Sequence, residues 1–316
     1  MTHKSDDYGE PRTPMPPTCY QRAMGLRTNP SQRQRRIGFE LRKCRERAGL
    51  HAEEAGRHVD LGGPHLRHIE GGRTAIPEAK MLKLLDLYGC TRETYVDGLL
   101  AMHRATGKGW WHEFRHVVAD RARDLAELES MSRAIRAFEP LHIPGLLQTP
   151  EYIGALMHPA SPAPAASTPF RRFRTRRQEL LTSPSAPSYH VVIHEAALHM
   201  RYVEEPILRR QLTHLIEVTR LPNIRVQIVP FRSGPLPAVG NPFTLFGSTD
   251  PELHTVLLEH DSRSDFLSET SDQARYSAMF EQLVGLALPA LSPAAERQYP
   301  SQRDSLSLLH HLLYIL

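Results

Sequence analysis

A chain of 316 residues, with 40% hydrophobic and 23% charged residues, is long enough for about two globular domains. Its net charge of +4 is uneven, because residues 1–105 carry 18 Lys/Arg against 13 Asp/Glu while residues 106–316 carry 21 against 22. Three cysteines (Cys19, Cys44, Cys90) exclude a disulfide framework and none of their spacings suits zinc; with no apolar leader and no run near ~18 apolar residues, the expectation is a soluble, reduced, cytoplasmic protein with no membrane contact.

Residues 1–30 hold five prolines and few large apolar residues, and read as a disordered leader. Ile37, Leu41, Cys44 and Ala48 then fall on one face of a helix that stops at Gly49. Cys44 on that face is a core thiol; the alternative is a redox role. A short helix from Ala52 to Val59, a tight connection at Asp60-Leu61-Gly62 and a third helix from Gly63 to Glu70 follow, the last closed by Gly71-Gly72. Pro77 opens a fourth helix carrying Met81, Leu82, Leu84 and Leu85, and a fifth over 92–103 completes an all-helical unit over 31–105. Beyond Gly107-Lys108-Gly109, Trp110-Trp111 opens a helical stretch predicted over 110–138, and the tryptophan pair suits an anchor where domains meet. Thr149, Pro150 and Glu151 read as cap, first helical residue and dipole partner of another helix. A Pro/Ala/Ser loop over 158–169 precedes the basic run from Arg171 to Arg177, which opens a helix to about Leu181. The period then changes to strands at Tyr189–His194, Ile224–Val229, Phe243–Phe246 and Thr255–Glu259, with helices at about 206–219 and 272–287. The fold class is mainly α with an α+β part: a five-helix bundle, an α+β domain with a small sheet over 106–298, and a C-terminal apolar helix over 299–316.

Two short helices joined by a tight turn inside a bundle have the geometry of a helix-turn-helix, whose second helix enters the major groove by its N-terminal half. Leu66 and Ile69 would then face the bundle, and His65, Arg67 and His68 the DNA, with Arg73 in the following loop. Arg67 suits a guanine edge, Arg73 suits a phosphate, and the N–H groups at Gly62 and Gly63 offer a phosphate site. Residues 27–47 carry eight basic residues against Glu40 and Glu46, so Arg35 and Arg36 are expected to neutralise the DNA backbone. The alternative is an ordinary bundle of short helices.

Elsewhere the signals are weaker. His194-Glu195 reads either as polar groups of a ligand pocket or as a structural hydrogen-bonding pair. The arginine run at 171–177 is either a second nucleic-acid patch or a solvated face meeting an acidic partner. With no HExxH, nucleophile elbow, Walker A loop or dinucleotide fingerprint, no catalytic residue, metal ligand or cofactor is expected.

The run Phe39-Glu40-Leu41-Arg42, Ala48-Gly49-Leu50 and Leu66-Arg67-His68-Ile69-Glu70-Gly71-Gly72-Arg73 resembles the Xre-type, phage-repressor-like helix-turn-helix over about 33–103. It departs from that family at His51-Ala52, where Thr-Gln is usual, and at Gly63-Pro64. Trp110-Trp111, Ile143-Pro144-Gly145-Leu146-Leu147-Gln148-Thr149 with Tyr152, Arg177-Gln178, Ile193-His194-Glu195-Ala196, Gln211-Leu212 and Val226-Gln227-Ile228-Val229-Pro230 resemble, in order, the antitoxin-like domain of the actinobacterial WhiJ-like regulators. The resemblance implies a lambda-repressor-like bundle and a transcriptional regulator that acts with a small protein encoded by an adjacent gene. The expected function is sequence-specific binding of double-stranded DNA by a homodimer, with Trp110, Trp111, Gln148 and Glu195 at a partner or ligand site. Rival readings are a protein-sequestering module with secondary DNA binding, and a small-molecule-sensing regulator.

Overall fold

Ser31 opens helix α1 (Gln32–Arg47) with a capping box: its Oγ accepts the Gln34 N–H, and Gln34 Oε1 accepts the Ser31 N–H at 3.0 Å. The computed structural model describes residues 26–156, 164–237, 240–260, 263–291 and 304–316. Helices α2 (Ala52–His58), α3 (Gly63–Glu70), α4 (Glu78–Leu87) and α5 (Glu93–Arg104) follow. Their apolar faces close over Leu41, Ala55, Leu66, Met81, Leu84 and Leu99, none of which is exposed at all. Cys44 lies in this core, its Sγ 3.2 Å from the Tyr95 hydroxyl. The expected leader falls outside the described residues up to position 25, while Arg27 and Pro30 pack on the bundle, Arg27 N–H donating to Arg73 O.

The helix predicted over 110–138 is replaced by three elements. Trp110–Phe114 forms a 3-10 turn, α6 spans only Asp120–Met131, and Ala134–Glu139 is a strand, β1. Alanine, arginine and glutamate favour helix, but that preference is small beside the two hydrogen-bonded ladders that β1 makes as a central strand. The chain continues through α7 (Pro150–Leu156), capped by Thr149 Oγ1 accepting the Tyr152 N–H at 3.2 Å. Helix α8 (Pro164–Gln178) already occupies part of the predicted 158–169 loop; the rest of that loop lies outside the described residues.

Strands β2 (Ser188–His194), β3 (Ile224–Val229), β4 (Phe243–Gly247), β5 (Thr255–Glu259) and β6 (Ser264–Leu267) join β1 in one sheet of order β3-β2-β1-β4-β5-β6. Two of its strands, β1 and β6, have no counterpart in the sequence reading; β6 is a short polar edge strand, with little apolar alternation to detect. The β3-β2-β1 half is parallel, and the connections within it run through helices, as parallel neighbours require; the β1-β4-β5-β6 half is antiparallel. Helix α9 (Glu195–His199) and helix α10 (Glu205–Val218) link β2 to β3. On one face, Val191, Ile193, Val226 and Ile228 pack beneath α7, α10 and the C-terminal helix α12 (Ser305–Ile315). On the other, Phe138, Val192, Phe243, Leu245 and Val256 meet Phe280 and Leu283 of α11 (Thr270–Leu286).

The two domains are clamped together by the β4–β5 connection, a 3-10 turn at Pro251–Leu253. Leu253 is buried within the helical bundle's own core. It fits there because α5 has Gly98 opposite: a Cβ at that position would lie 2.4 Å from Leu253 Cδ1. Glu252 receives Lys43 (3.1 Å), Arg47 (2.8 Å) and Arg92 (2.6 Å), and Asp250 receives Arg92 (2.9 Å) and the Thr94 hydroxyl (2.7 Å). Burial works against the Glu252 carboxylate, but Arg92, Arg47 and Lys43 prevail and bring its pKa down to about 2.

Candidate nucleic-acid interface

The turn between α2 and α3 is built from small residues and one reversed backbone. Asp60 takes a left-handed φ of 53°, and the Leu61 N–H returns to Gly56 O at 2.9 Å. A Cβ at Gly56 would sit 2.6 Å from Leu61 O, so only glycine lets the two segments approach this closely. Lys80 of α4 ties the turn down by donating from Nζ to the Val59 and Asp60 carbonyls.

The far end of α3 is fixed to α1. Arg45 makes a bidentate pair with Glu70, Nε to Oε1 at 2.7 Å and Nη2 to Oε2 at 3.0 Å, and spends its remaining nitrogen on Leu50 O. Gly38 of α1 lets the Glu70 carbonyl come in, where any Cβ would be 2.3 Å away. Gly72, at φ +71°, ends the helix, with Arg73 N–H donating to His68 O at 2.9 Å. Glu70 and Gly72, two of the residues on which the family resemblance rests, thus set the angle at which α3 leaves the bundle.

What α3 presents outward is His65, Arg67 and, after its end, Arg73, all exposed, with His68 half-buried beside them. Leu66 and Ile69 point into the core. Arg67 is paired with Glu53 of α2 at 2.8 Å across an exposed gap, and that hydrogen bond holds the Glu53 carboxyl below its ordinary pKa. An exposed ion pair of this kind is weak and exchangeable. At the other end of α3, Arg27 Nη1 donates to Gly72 O, and Arg35 is exposed and donates to Asn29 Oδ1. Arg27, Arg35 and Arg73 are therefore gathered around one glycine.

Two expectations are corrected. Arg36 is buried at 3% exposure and turned away from this surface. Its guanidinium donates to Glu252 O, His254 O, Thr255 Oγ1 and Ser268 Oγ, and contacts Glu40 at 2.9 Å without hydrogen-bond alignment. The cause is positional, since Arg36 lies on the α1 face that meets the C-terminal domain. Gly63 is also buried, with the Glu53 side chain laid against it, so a carboxylate stands where a phosphate was expected. Glu53 is the contributor that the sequence reading missed; its spacing from Arg67 crosses a turn, and only the folded turn brings the two together.

The C-terminal residues singled out in the sequence are mostly occupied within the fold. Trp110 and Trp111 are half-buried in an aromatic cluster with Phe114 and Phe173, and Arg176 lies over the Trp110 ring. Gln148 is buried; its amide donates to Ile143 O at 2.7 Å and accepts from Arg174 at 2.9 Å, so it positions Arg174 within the fold. Gln211 is wholly buried and bridges Leu147 O and the Thr149 N–H, fixing the Pro-Gly-Leu-Leu-Gln-Thr turn. Glu195 accepts the Phe231 N–H at 2.7 Å and His194 caps Ala196 N–H, which makes the pair a structural device at the end of β2. In the arginine run, Arg177 pairs with Glu129 and Arg176 with Glu113. Among the described residues, no helix is long and apolar enough to cross a membrane, and no group of three or more His, Cys, Asp or Glu is placed to hold a metal.

Residues 122–294 match the family model of a domain of unknown function, DUF5753, and residues 36–95 match a model described as a helix-turn-helix domain. No curated protein and no solved structure matches the chain.

Proposed function

The chain belongs to the DUF5753 family, and from that membership and the helix-turn-helix domain ahead of it we propose that it is a sequence-specific DNA-binding transcriptional regulator of the Xre type. The observation that carries this reading is the free outer face of α3. The clamp from the C-terminal domain engages α1 and α5, while His65, Arg67 and Arg73 stay exposed. In this reading α3 enters the major groove, Arg67 exchanges Glu53 for the O6 and N7 of a guanine, and His65 and His68 contact neighbouring base edges. Arg27, Arg35 and Arg73 hold phosphates.

The C-terminal domain has the regulatory role. It dimerises, so that two α3 helices address half-sites about one helical turn, ~34 Å, apart. It also takes up a small protein encoded by an adjacent gene or a small effector, and the protein acts on DNA in the cytoplasm without catalysing a reaction. Exposed Tyr314 and Ile315 on α12 support an association surface. Gel shifts of the full chain on the DNA upstream of its own gene and on random DNA of equal length test the reading. Preference for the upstream DNA at matched salt supports it; equal binding to both, or none at low salt, overturns it.

A further inference from the structure

Among the described residues, the parallel half of the sheet is covered on both faces, but the antiparallel half is covered on one. On the face shared with α10 and α12, strands β1, β4, β5 and β6 leave the floor of a cleft of about 780 Å³. Its walls are α6, α8 and the 140–148 turn, and this volume lies within the usual range of small-molecule sites. Strand register defines the floor row by row. Ala137, Thr244, Leu257 and Phe266 lie side by side across the four strands; two residues on, Glu259 faces Ser264, while Glu139 and Pro242 each lie one residue beyond the last β1–β4 pair, Phe138 with Phe243. Two carboxylates thus flank a proline, which offers neither charge nor N–H, on one face and two strand spacings apart, roughly 9–10 Å along the sheet.

Among the described residues, neither Glu139 nor Glu259 has an ion-pair or hydrogen-bond partner. Glu259 is exposed at the open rim, whereas Glu139 is half-buried along the cleft. Burial, and then the charge of Glu259, push the Glu139 pKa up to about 8, with Arg174 opposing. Three arginines line the wall: Arg177 is paired with Glu129, Arg121 has a partner of its own, and Arg174 is bonded to Gln148 and lies over the Phe170 ring, its buried Nε without a hydrogen-bond partner among the described residues. Along its length β5 links the cleft to the domain clamp, since Thr255 accepts Arg36 at one end and Glu259 stands at the other.

We infer that this cleft binds a small amphipathic cation, with an apolar or aromatic body on Ala137, Phe246, Leu257 and Phe266 and a protonated amine between Glu139 and Glu259. The ammonium supplies the donors that the Glu139 carboxylate lacks, in a site where a charge-assisted hydrogen bond is stronger than in water. The inference deepens the regulatory reading by giving the effector a chemical class, and its test uses no DNA, so the two fail independently.

Calorimetric titration of the full chain with phenylbutylamine, phenylbutyrate and phenylbutanol separates charge from shape. The amine is expected to bind at least about tenfold more tightly than the acid or the alcohol, and Glu139→Gln to lose at least about tenfold of the amine affinity. Glu139→Gln removes a half-buried acid with no side-chain partner among the described residues, so its melting temperature reports on folding independently and is expected to match or exceed that of the wild type. A second variant, Ala137→Phe, fills the floor and is expected to weaken all three probes. Binding of the acid as tight as that of the amine, amine affinity unchanged in Glu139→Gln, or no binding of the amine at millimolar concentration overturns the assignment.

Discussion

Helix α1 carries seven Lys/Arg and helix α3 only Arg67 beside two histidines, and the fold uses the two sets in opposite ways. On α1 nearly every cation is committed inside the molecule: Arg33 to Glu127, Arg36 to the β4–β5 connection, Lys43 and Arg47 to Glu252, Arg45 to Glu70. On α3 and the loop after it, Arg67 and Arg73 remain at the surface, as does Arg35 near the start of α1, with at most exposed, exchangeable partners. Four of the eight basic residues of 27–47, Arg33, Arg36, Lys43 and Arg47, are therefore the cement of a domain interface, and a smaller set of cations is left for an anionic partner. Charge density along a sequence measures supply and says nothing about which acids, distant in sequence, will meet it.

The sharpest way to break this contrast is Arg36→Ala. It leaves Glu40 buried without its principal cation, and is expected to cost about 3–5 kcal/mol in urea unfolding while the salt dependence of DNA binding stays unchanged. A reduced salt slope with normal stability would return Arg36 to the DNA-contacting set. Glu252→Gln comes next, at about 2 kcal/mol, with a defined pH window. Because the folded-state pKa of Glu252 is about 2 against an ordinary 4.5, its contribution is complete above about pH 4.5 and is lost as the pH falls toward 2. Acid titrations of stability for the two proteins should converge over that window. If they stay parallel, Glu252 does not hold the clamp.

On the outer side, Arg67→Ala is expected to cost ~1–3 kcal/mol of operator affinity and to relax specificity at one base pair, with folding stability within about 0.5 kcal/mol of wild type. Arg35→Ala should have the smallest effect: a uniform weakening across sequences and a salt slope lower by about one. Measured in a footprint and a salt titration, these two variants separate base reading from phosphate holding. Identical behaviour of both would remove the distinction drawn between Arg67 on α3 and Arg35 on α1.

Much of the bundle was legible because its signals are local. The period of Ile37, Leu41 and Cys44 and the glycines at 49 and 72 each act within a few residues, and all five helices lie close to their predicted positions. Strands β3 and β5 were equally plain, as β-rich runs bounded by turn residues. Strand β1 was hidden because Ala, Arg and Glu speak for helix while its two ladders lie with residues about 50 and 105 positions away. With β1 read as helix, Glu139 had no face, and the row it shares with Glu259 could not be drawn.

The sequence by itself determined a basic helix-turn-helix followed by a near-neutral α+β domain, and it marked Arg67 and Arg73 as outward residues. It did so because helical period, caps and turn residues are properties of neighbouring positions. Only the tertiary structure decided which cations remain available and where a cleft opens, because those depend on pairings across more than 200 residues, such as Arg36 with Glu252. The +4 of the whole chain is thus a residue of many internal cancellations, and its meaning lies in the few charges that the fold leaves exposed.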